Sequence, residues 1–258
     1  MFQKFDNFKK NYYLFQEYLK KELSKPDLTD TFGSQKGQVD FLINNIFDYE
    51  NKGLPYKKYF VDCAAGDAIT YSNTYFLESY LGWKGLLIEP NPIFHKDIEE
   101  KRSSKLIKQC IGSNDGEILN FRVDNRLLGG LVGDEFDNNK KNRKDELESA
   151  EIIKIETKTL TTVLSENNSP NNIDYLSLDV EGAEEFILKN FDFEKYTFRF
   201  ITVERPSDTL NILLDKNGYI QVKSIESESF YTHKNYFKSV NLKPNINFKL
   251  TKRKDWWS

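Results

Sequence analysis

Residues 59–92 read YFVDCAAGDAITYSNTYFLESYLGWKGLLIEPNP, and two short apolar runs in this stretch, 59–61 and 85–88, set the pattern of the chain. Each run is followed by small or acidic residues. The first of these turns, Asp62-Cys63-Ala64-Ala65-Gly66-Asp67-Ala68, leads into a helical pattern that Ser72 is placed to cap. Strand, turn, helix and returning strand make a βαβ unit, and such units build a parallel sheet covered on both faces.

The rhythm continues outward. Further apolar runs occupy 105–111, 175–178 and 198–203, and helical patterns begin at Pro92, Gly182 and Ser207, the last ending at Gly218. Beyond Gly218 the pattern becomes strand, turn, strand (219–225, then 230–233), which predicts an antiparallel hairpin closing the sheet. Toward the start, Phe8, Tyr12, Phe15, Leu19 and Leu23 share one helical face, and Val39, Leu42, Ile43, Ile46 and Phe47 share another. The expected fold is therefore α/β, with a mostly parallel sheet, a terminal antiparallel hairpin, helices on both faces and an N-terminal helical extension. Residues 134–148, DEFDNNKKNRKDELE, are almost wholly charged or amide and read as a solvated helix or a mobile loop, with a flexible flap favoured and Leu127-Leu128-Gly129-Gly130-Leu131 before it read as either its hinge or an ordinary loop.

Composition removes several classes. The 258 residues include 14% aromatics, too many for a disordered chain. Lys and Arg total 37 against 40 Asp and Glu, a net charge of -3, so the chain lacks the basic excess of a nucleic-acid binder and no such partner is expected. Two cysteines, Cys63 and Cys110, cannot build a disulfide framework or a thiolate metal site. The first residues carry no signal-peptide pattern and no apolar run reaches the roughly 18 residues of a membrane span, so a cytoplasmic setting is expected.

In open parallel sheets, ligands bind beyond the carboxyl ends of the strands. Glu89 ends the second run, 21 residues after Ala68 in the small-residue turn. An acidic residue at about that spacing accepts hydrogen bonds from the hydroxyls of a nucleoside ribose. The turn has only Gly66 where a dinucleotide site carries G-x-G-x-x-G, which leaves NAD as the weaker reading. The later strand ends carry carboxylates, in Asp179-Val180-Glu181-Gly182-Ala183-Glu184 and in Glu204-Arg205. Clustered acids there suit a sulfonium cofactor, a bound cation or proton abstraction from a hydroxyl, and would repel a diphosphate.

Taken together, Ser34-Gln35-x-Gly37-Gln38, Val61-Asp62, Tyr71 to Glu78, Gly82-Trp83-Lys84-Gly85, Ile88-Glu89-Pro90-Asn91-Pro92 and Ser177 to Glu184 resemble the FkbM-type methyltransferases, from about Ser34 to about Gly218. The resemblance implies a Rossmann-like, class I fold with a seven-stranded sheet. It also implies an S-adenosylmethionine-dependent O-methyltransferase acting on a hydroxyl of a sugar, glycan or related natural product. On that basis the chain divides into a helical extension (1–33), a methyltransferase domain (34–248) and a tail (249–258). One departure stands out: the family's two glycine positions in the first turn are Ala64 and Ala68, which motivates a non-catalytic binding module as the alternative.

The cofactor residues so implied are Asp62, Ala64, Gly66, Asp67, Ser72, Asn73, Glu89, Pro90, Asn91, Cys110, Ile111 and Asp179. Asp179, Glu181, Glu204 and His233 are the candidate catalytic residues, with Asp179 first for taking the proton of the accepting hydroxyl. Asp179 and Glu204 are also the candidate ligands of a divalent cation, Mg²⁺ or Ca²⁺. Glu184 fits a helix-capping role as well as a catalytic one, and His95 reads as an exposed helix residue. A small-molecule or glycan substrate is the expected partner, with a homodimer left open.

Overall fold

The computed structural model describes Ser34 and residues 36–47, 57–124 and 126–237. The helix expected over residues 8–23 and the tail carrying Trp256 and Trp257 lie outside these residues. The first helix, α1 (Gln38–Phe41), runs into a π-helical turn (Leu42–Ile46). Its stripe of Val39, Leu42, Ile43, Ile46 and Phe47 is buried, as the spacing predicts. Arg199 holds this helix in place, with Nη2 donating to the Ile46 carbonyl at 3.0 Å and its guanidinium 4.2 Å above the Phe47 ring.

The chain then builds β1 (Tyr59–Cys63), α2 (Tyr75–Leu81), β2 (Lys84–Ile88), α3 (Pro92–Lys101) and β3 (Lys105–Ile107). A second group follows: β4 (Cys110–Gly112), β5 (Ile118–Arg122), β6 (Gly130–Leu131), α4 (Lys140–Glu148), β7 (Ile152–Thr159) and α5 (Leu160–Glu166). The last part is β8 (Asn172–Leu178), α6 (Glu184–Leu188), β9 (Thr197–Glu204), α7 (Asp208–Lys216), β10 (Tyr219–Ile225), β11 (Glu228–His233) and α8 (Lys234–Phe237). Seven strands form the main sheet in the order β10-β11-β9-β8-β1-β2-β3. Strands β3, β2, β1, β8 and β9 are parallel, and β11 lies antiparallel between β9 and β10, so the predicted hairpin is present with its second strand inserted.

Alternate residues of each central strand serve opposite cores. Val61 and Cys63 pack on one face with Leu86, Ile88, Leu176 and Leu178, whereas Phe60 packs on the other with Leu87, Tyr175, Phe200 and α1. Gly85 permits the close approach of β1 and β2, because a Cβ there would lie 2.3 Å from the Phe60 carbonyl oxygen and 2.6 Å from its ring.

Three expectations need correction. The run 105–111 is two strands: the polar Lys108-Gln109 breaks it, Gln109 Nε2 donates to the Glu156 carbonyl, and β4 joins a separate sheet ordered β4-β7-β5-β6. That second sheet was not anticipated, although β7, IIKIETKT, alternates apolar and polar residues. Residues 134–148 are not a flexible flap, although Lys140–Glu148 do form a mostly solvated helix. Phe136, Asp137, Asn138 and Arg143 are buried, and the exposed charges belong mostly to α4.

The expected cap at Ser207 is formed, and Asn91 supplies one not named in the sequence analysis. Ser207 Oγ accepts from Leu210 N at 3.0 Å, and Asn91 Oδ1 accepts from Ile93 N ahead of Pro92. At α2 the helix starts later than predicted, yet Ser72 Oγ still accepts from Thr74 N and Tyr75 N.

The loop between β1 and α2 is clamped by Arg102, which follows α3 and is fully buried at its side chain. Its Nε donates to Glu78 Oε2 at 3.0 Å, Nη1 to the Ala68 carbonyl and Ser72 Oγ at 3.2 Å each, and Nη2 to Thr74 Oγ1 at 2.9 Å. The other Glu78 oxygen accepts from the amides of Ser103 and Ser104 and from the Ser103 hydroxyl. Burial pushes the Glu78 carboxyl up, but Arg102 and these donors together hold it below its ordinary value. Arg102→Ala leaves that carboxylate buried without its cation and should cost about 3–5 kcal/mol in urea unfolding. Arg102→Lys should recover less than half of the loss, since an ammonium cannot reproduce the planar fork; a midpoint equal to wild type in both variants would remove the clamp from the account.

Candidate active site

The carboxyl ends of β1, β2, β8 and β9 open on one cleft, walled on its outer side by β4, Phe121 of β5 and the 126–131 segment. Asp62, Ala64, Gly66, Asp67, Ser72, Asn73, Glu89, Pro90, Asn91, Cys110, Ile111 and Asp179 all line it, so the residues singled out in sequence for a cofactor converge in space. Cys63 and Cys110 are buried free thiols, and burial, with Glu89 beside it, pushes Cys110 up to about 12; neither is poised for reaction.

Glu89 is nearly fully buried, accepting from Gly66 N at 2.8 Å through Oε2 and from Asn91 N at 2.7 Å through Oε1. Burial raises its pKa to about 7 in spite of these two donors. Asp67 turns its Oδ1 back onto the amides of Ile69 and Thr70, which shapes the loop. Gly66 has φ 55°, and an added Cβ would lie 2.7 Å from Leu127 Cδ2, so the 126–131 segment packs directly onto this turn and serves as a wall of the cleft. His95 is half-buried, with Nε2 2.8 Å from the Glu89 carbonyl, which corrects its reading as an exposed residue.

Asp62 lies opposite Ser177 in the β1–β8 register. It accepts from Thr74 Oγ1 at 2.6 Å, and burial raises its pKa to about 6 against the lowering effects of Thr74, Arg102 and Ser177. Asn73 Nδ2 donates to Ser177 Oγ at 3.0 Å, while Asn73 Oδ1 is buried with no hydrogen-bond partner among the described residues. An orphaned acceptor in the cleft wall costs free energy unless a ligand satisfies it.

The acidic end of the cleft holds Asp179, Glu181 and Glu204, whose oxygens come within 4.8 Å of one another. Burial raises both Asp179 and Glu204, and the two interact so closely that they titrate as a pair. Arg205 Nη2 lies 2.5 Å from Glu204, 2.7 Å from Asp137 and 3.5 Å from Glu181. Arg143 Nη2 donates to Glu181 at 2.9 Å, yet burial and Asp179 raise Glu181 to about 7. Glu184 Oε1 accepts from the amides of Val180 and Gly182, a turn-capping role away from the chemistry.

Sequence reading missed Asp137, Arg143, Arg205 and Glu228 as parts of this centre. Glu228 pairs directly with Glu204 across β9 and β11, is buried, and is raised to about 8 by desolvation and Asp179. The opposite correction applies to His233. The same antiparallel register carries it past Thr232, the partner of Phe200, to the amino end of β9, about 17 Å of strand from Glu204, where it packs against Tyr219 and Tyr236. It does not line the cleft and is withdrawn as a base. One signal was available: of the seven arginines in the chain, Arg102, Arg122, Arg143, Arg199 and Arg205 all make hydrogen bonds in partly or fully buried places.

A seven-stranded sheet with one inserted antiparallel strand, and a ligand cleft at the ends of its central parallel strands, defines the class I methyltransferases. Within them, the Methyltransferase FkbM domain matches residues 62–220, and the chain belongs to that family. It is an S-adenosylmethionine-dependent methyltransferase, which sets aside the NAD-dependent reading. No curated protein matches the sequence significantly. Among solved structures, the METTL16 MTase domain aligns at 10% identity and a TM-score of 0.43, over 76% of this chain and 64% of that one. The precorrin-6y C5,15-methyltransferase from Geobacter metallireducens GS-15 aligns at 12% and 0.37, over 76% and 84%. The N-terminal domain of human METTL16 in complex with SAH aligns at 10% and 0.38, over 76% and 68%. No residue role or substrate is carried over from these remote likenesses.

The cofactor fits the residues present: a buried carboxylate stands at the end of β2, Asn73 in the cleft lining has a buried acceptor without a partner among the described residues, and the small-residue turn belongs to the same lining. The two alanines at glycine positions do not close it. Ala68 has ordinary backbone and its methyl group belongs to the core, whereas Ala64 adopts φ 63°. Tyr71, Arg126, Glu181 and Arg205 around the same cleft also have φ between 43° and 61°, the concentration of strain expected at a functional site.

Ala64→Gly relieves the left-handed strain of about 1–2 kcal/mol at a backbone-entropy cost of about 0.5–1 kcal/mol. Tm should rise by about 1–3 °C; a fall would show that the alanine methyl packs favourably. The raised carboxyls give a second expectation. Asp62, Glu89, Glu181 and Glu228 titrate at about 6, 7, 7 and 8 in the folded protein, above the ordinary values of 3.8 and 4.5. The folded state therefore keeps protons that the unfolded state has released, and stability falls as pH rises from about 4.5 through 8. Thermal melts from pH 5.5 to 8.5 should show Tm decreasing, with a shallower decrease in Glu89→Gln.

Proposed function

We propose that the chain methylates a hydroxyl oxygen of a neutral sugar, glycan or related polyol. The carrying observation is the cluster of Asp179, Glu181 and Glu204 in the cleft, with oxygens within 4.8 Å of one another and burial raising the basicity of Asp179 and Glu204. When bound, S-adenosylmethionine supplies an electrophilic methyl group. Asp62, Asn73 and the turn 64–67 are the residues suited to its amino-acid part, Glu89 to its ribose, and Cys110 and Ile111, with Pro90 and Asn91 nearby, to its base. Asp179 would take the proton of the accepting hydroxyl, and the bound cofactor would supply the methyl group from its sulfonium sulfur, its S–CH3 bond breaking as the O–CH3 bond forms and the neutral thioether leaving; burial, by raising the basicity of Asp179, favours the proton transfer. Glu204 holds Asp179 in place, and Arg205, between Glu204 and Asp137, keeps the cluster from collapsing into a fully protonated state.

The neutrality of the acceptor follows from the lining. Asp62, Asp67, Glu89, Asp179, Glu181 and Glu204 face two arginines, Arg126 and Arg205, so an added phosphate or carboxylate is disfavoured. A nucleic acid is disfavoured on the same ground and by the net charge of -3. A divalent cation, Mg²⁺ or Ca²⁺, on Asp179, Glu181 and Glu204 has the ligand spacing but must displace the Arg205 guanidinium already 2.5 Å from Glu204. We therefore read the reaction as metal-independent. The domain limits, 34–248 with a helical extension before and a tail after, belong to the same proposal, as does a cytoplasmic setting, supported by the two free thiols. No helix among the described residues is long and apolar enough to cross a membrane.

Asp179→Asn should abolish S-adenosylhomocysteine production with a panel of neutral glycans while leaving S-adenosylhomocysteine affinity within about tenfold, a change of roughly 1.4 kcal/mol. EDTA should leave turnover within twofold. Unchanged turnover in Asp179→Asn removes it as the base, and loss of turnover in EDTA that Mg²⁺ restores establishes the metal.

A further inference from the structure

The segment 126–131 touches three separate parts of the cleft with three of its residues. A Cβ on Gly66 would lie 2.7 Å from Leu127 Cδ2, one on Gly129 3.1 Å from Asn91 Nδ2, and one on Gly130 3.3 Å from Glu181 Cβ. The segment therefore crosses as a strap from the turn after β1, past the end of β2, to the end of β8. Leu127, Leu128, Gly129, Gly130 and Leu131 all line the cleft. The chain on either side of the strap is tied down: Asn91 Nδ2 donates to the Val123 carbonyl at 3.1 Å, and Gly130 and Leu131 pair with Arg122 and Phe121 of β5. The middle is held less by packing, since Leu127 and Leu128 are each 44% exposed.

What holds the middle is Arg143. Its Nη1 donates to the Leu128 carbonyl at 2.8 Å and to Asn138 Oδ1 at 3.0 Å, while Nη2 pairs with Glu181 at 2.9 Å. Asn138 Nδ2 donates to the same Leu128 carbonyl at 3.3 Å. Helix α4 is broken where it delivers this side chain: Arg143 has φ −137° and ψ 42°, non-helical values inside Lys140–Glu148, and is the buried residue of an otherwise exposed or half-buried helix. A break at the one residue that turns inward has its cause in the partners that residue reaches. One guanidinium thus joins the strap to the acidic centre, and it does so without lining the cleft itself.

We infer that Arg143 is a positioning residue of the methyl transfer, latching the strap across the bound cofactor and holding Glu181 in the acidic centre, so that enclosure and assembly of the centre are one event. The inference rests on the cofactor reading above. The closed strap spans Gly66 and Asn91, among the residues suited to the nucleoside, so cofactor enters and S-adenosylhomocysteine leaves when the latch releases. A latch has a kinetic signature that a ligand contact lacks. Loss of a contact raises the dissociation rate constant alone, whereas release of a gate raises association and dissociation together.

Both rate constants for S-adenosylhomocysteine, measured by surface plasmon resonance on the full chain, test this. Arg143→Met should raise each by about tenfold, the worth of one charge-assisted hydrogen bond, and leave the affinity within about threefold. Loss of stability lowers the amount of binding-competent protein but not the rates of the folded molecules, so a merely structural role does not produce this result. Leu127→Ala, at an exposed position that does not endanger folding, loosens the strap from its other side and should raise both by about threefold. Glu181→Gln should also raise both, through the far end of the same guanidinium. Unchanged rate constants in Arg143→Met and Leu127→Ala, or a rise in dissociation alone, overturn the latch, and unchanged rates in Glu181→Gln overturn its link to the centre. No binding of S-adenosylhomocysteine by wild type overturns the cofactor reading itself, and the latch with it.

Discussion

The site depends on a guanidinium that never touches it. Arg102 is buried among Glu78, Ser72, Thr74 and the Ala68 carbonyl, and every group it holds belongs to the loop and helix that follow β1. The loop carries a single glycine and two alanines where a glycine-rich turn would adopt its path without strain. Two guanidinium nitrogens on one Glu78 oxygen and three further contacts supply the rigidity that backbone preference does not. Through Thr74 the clamp reaches Asp62, and through Ser72 it sets the start of α2, so Asn73 between them has little freedom. A lysine could supply the charge, but not donors in these fixed directions.

The second constraint is the arithmetic of charge around β8 and β9. Asp137, Asp179, Glu181, Glu204 and Glu228 lie close to one another with Arg143 and Arg205 as the nearby cations. Five carboxyls, three of them buried and two half-buried, cannot all be ionised beside two guanidinium groups, so some must hold protons near neutral pH. Arg143 pairs with Glu181 and Arg205 with Asp137 and Glu204, while burial raises Asp179, Glu181, Glu204 and Glu228, so the protons are shared within that set. The segment 134–148 is therefore part of the centre rather than a cover for it: Asp137 and Arg143 are the residues by which it enters. Its polar composition reflects buried pairing as well as solvation, because a buried ion pair and a solvated face use the same residue types.

This explains what could be read in the sequence. Strands β1, β2, β8 and β9 were legible because a parallel strand buried on both faces is a continuous apolar run, and Asp62, Glu89, Asp179 and Glu204 were legible because each ends such a run. Ser72 and Ser207 announced helix starts through local chemistry alone. The second sheet was missed because β4 and β6 are two or three residues long and β7 exposes Ile152, Lys154 and Glu156, a pattern dominated by its polar face. His233 was misplaced because its strand runs against its neighbours: in an antiparallel insertion the carboxyl end of the strand lies at the wrong end of the sheet. The same reversal hid Glu228, which begins β11 and so reaches the centre from a position that no rule about strand ends marks.

Strain and burial at the cleft have a common origin. A left-handed residue without a glycine's freedom persists only where surrounding contacts over-determine it. Each example here is tied from outside its own turn. Ala64 N donates to the Ile88 carbonyl at the end of β2, and Arg205 N donates to the Ser227 carbonyl just before β11. Glu181 is held by Arg143 and by its carbonyl, which accepts from Asp137 N. The carboxyl ends of β1, β8 and β9 are thus fixed by their neighbours in the fold, not by their own sequence preferences. An active site built this way presents its carboxylates in a set geometry before any ligand arrives, so less ordering remains to be done on binding.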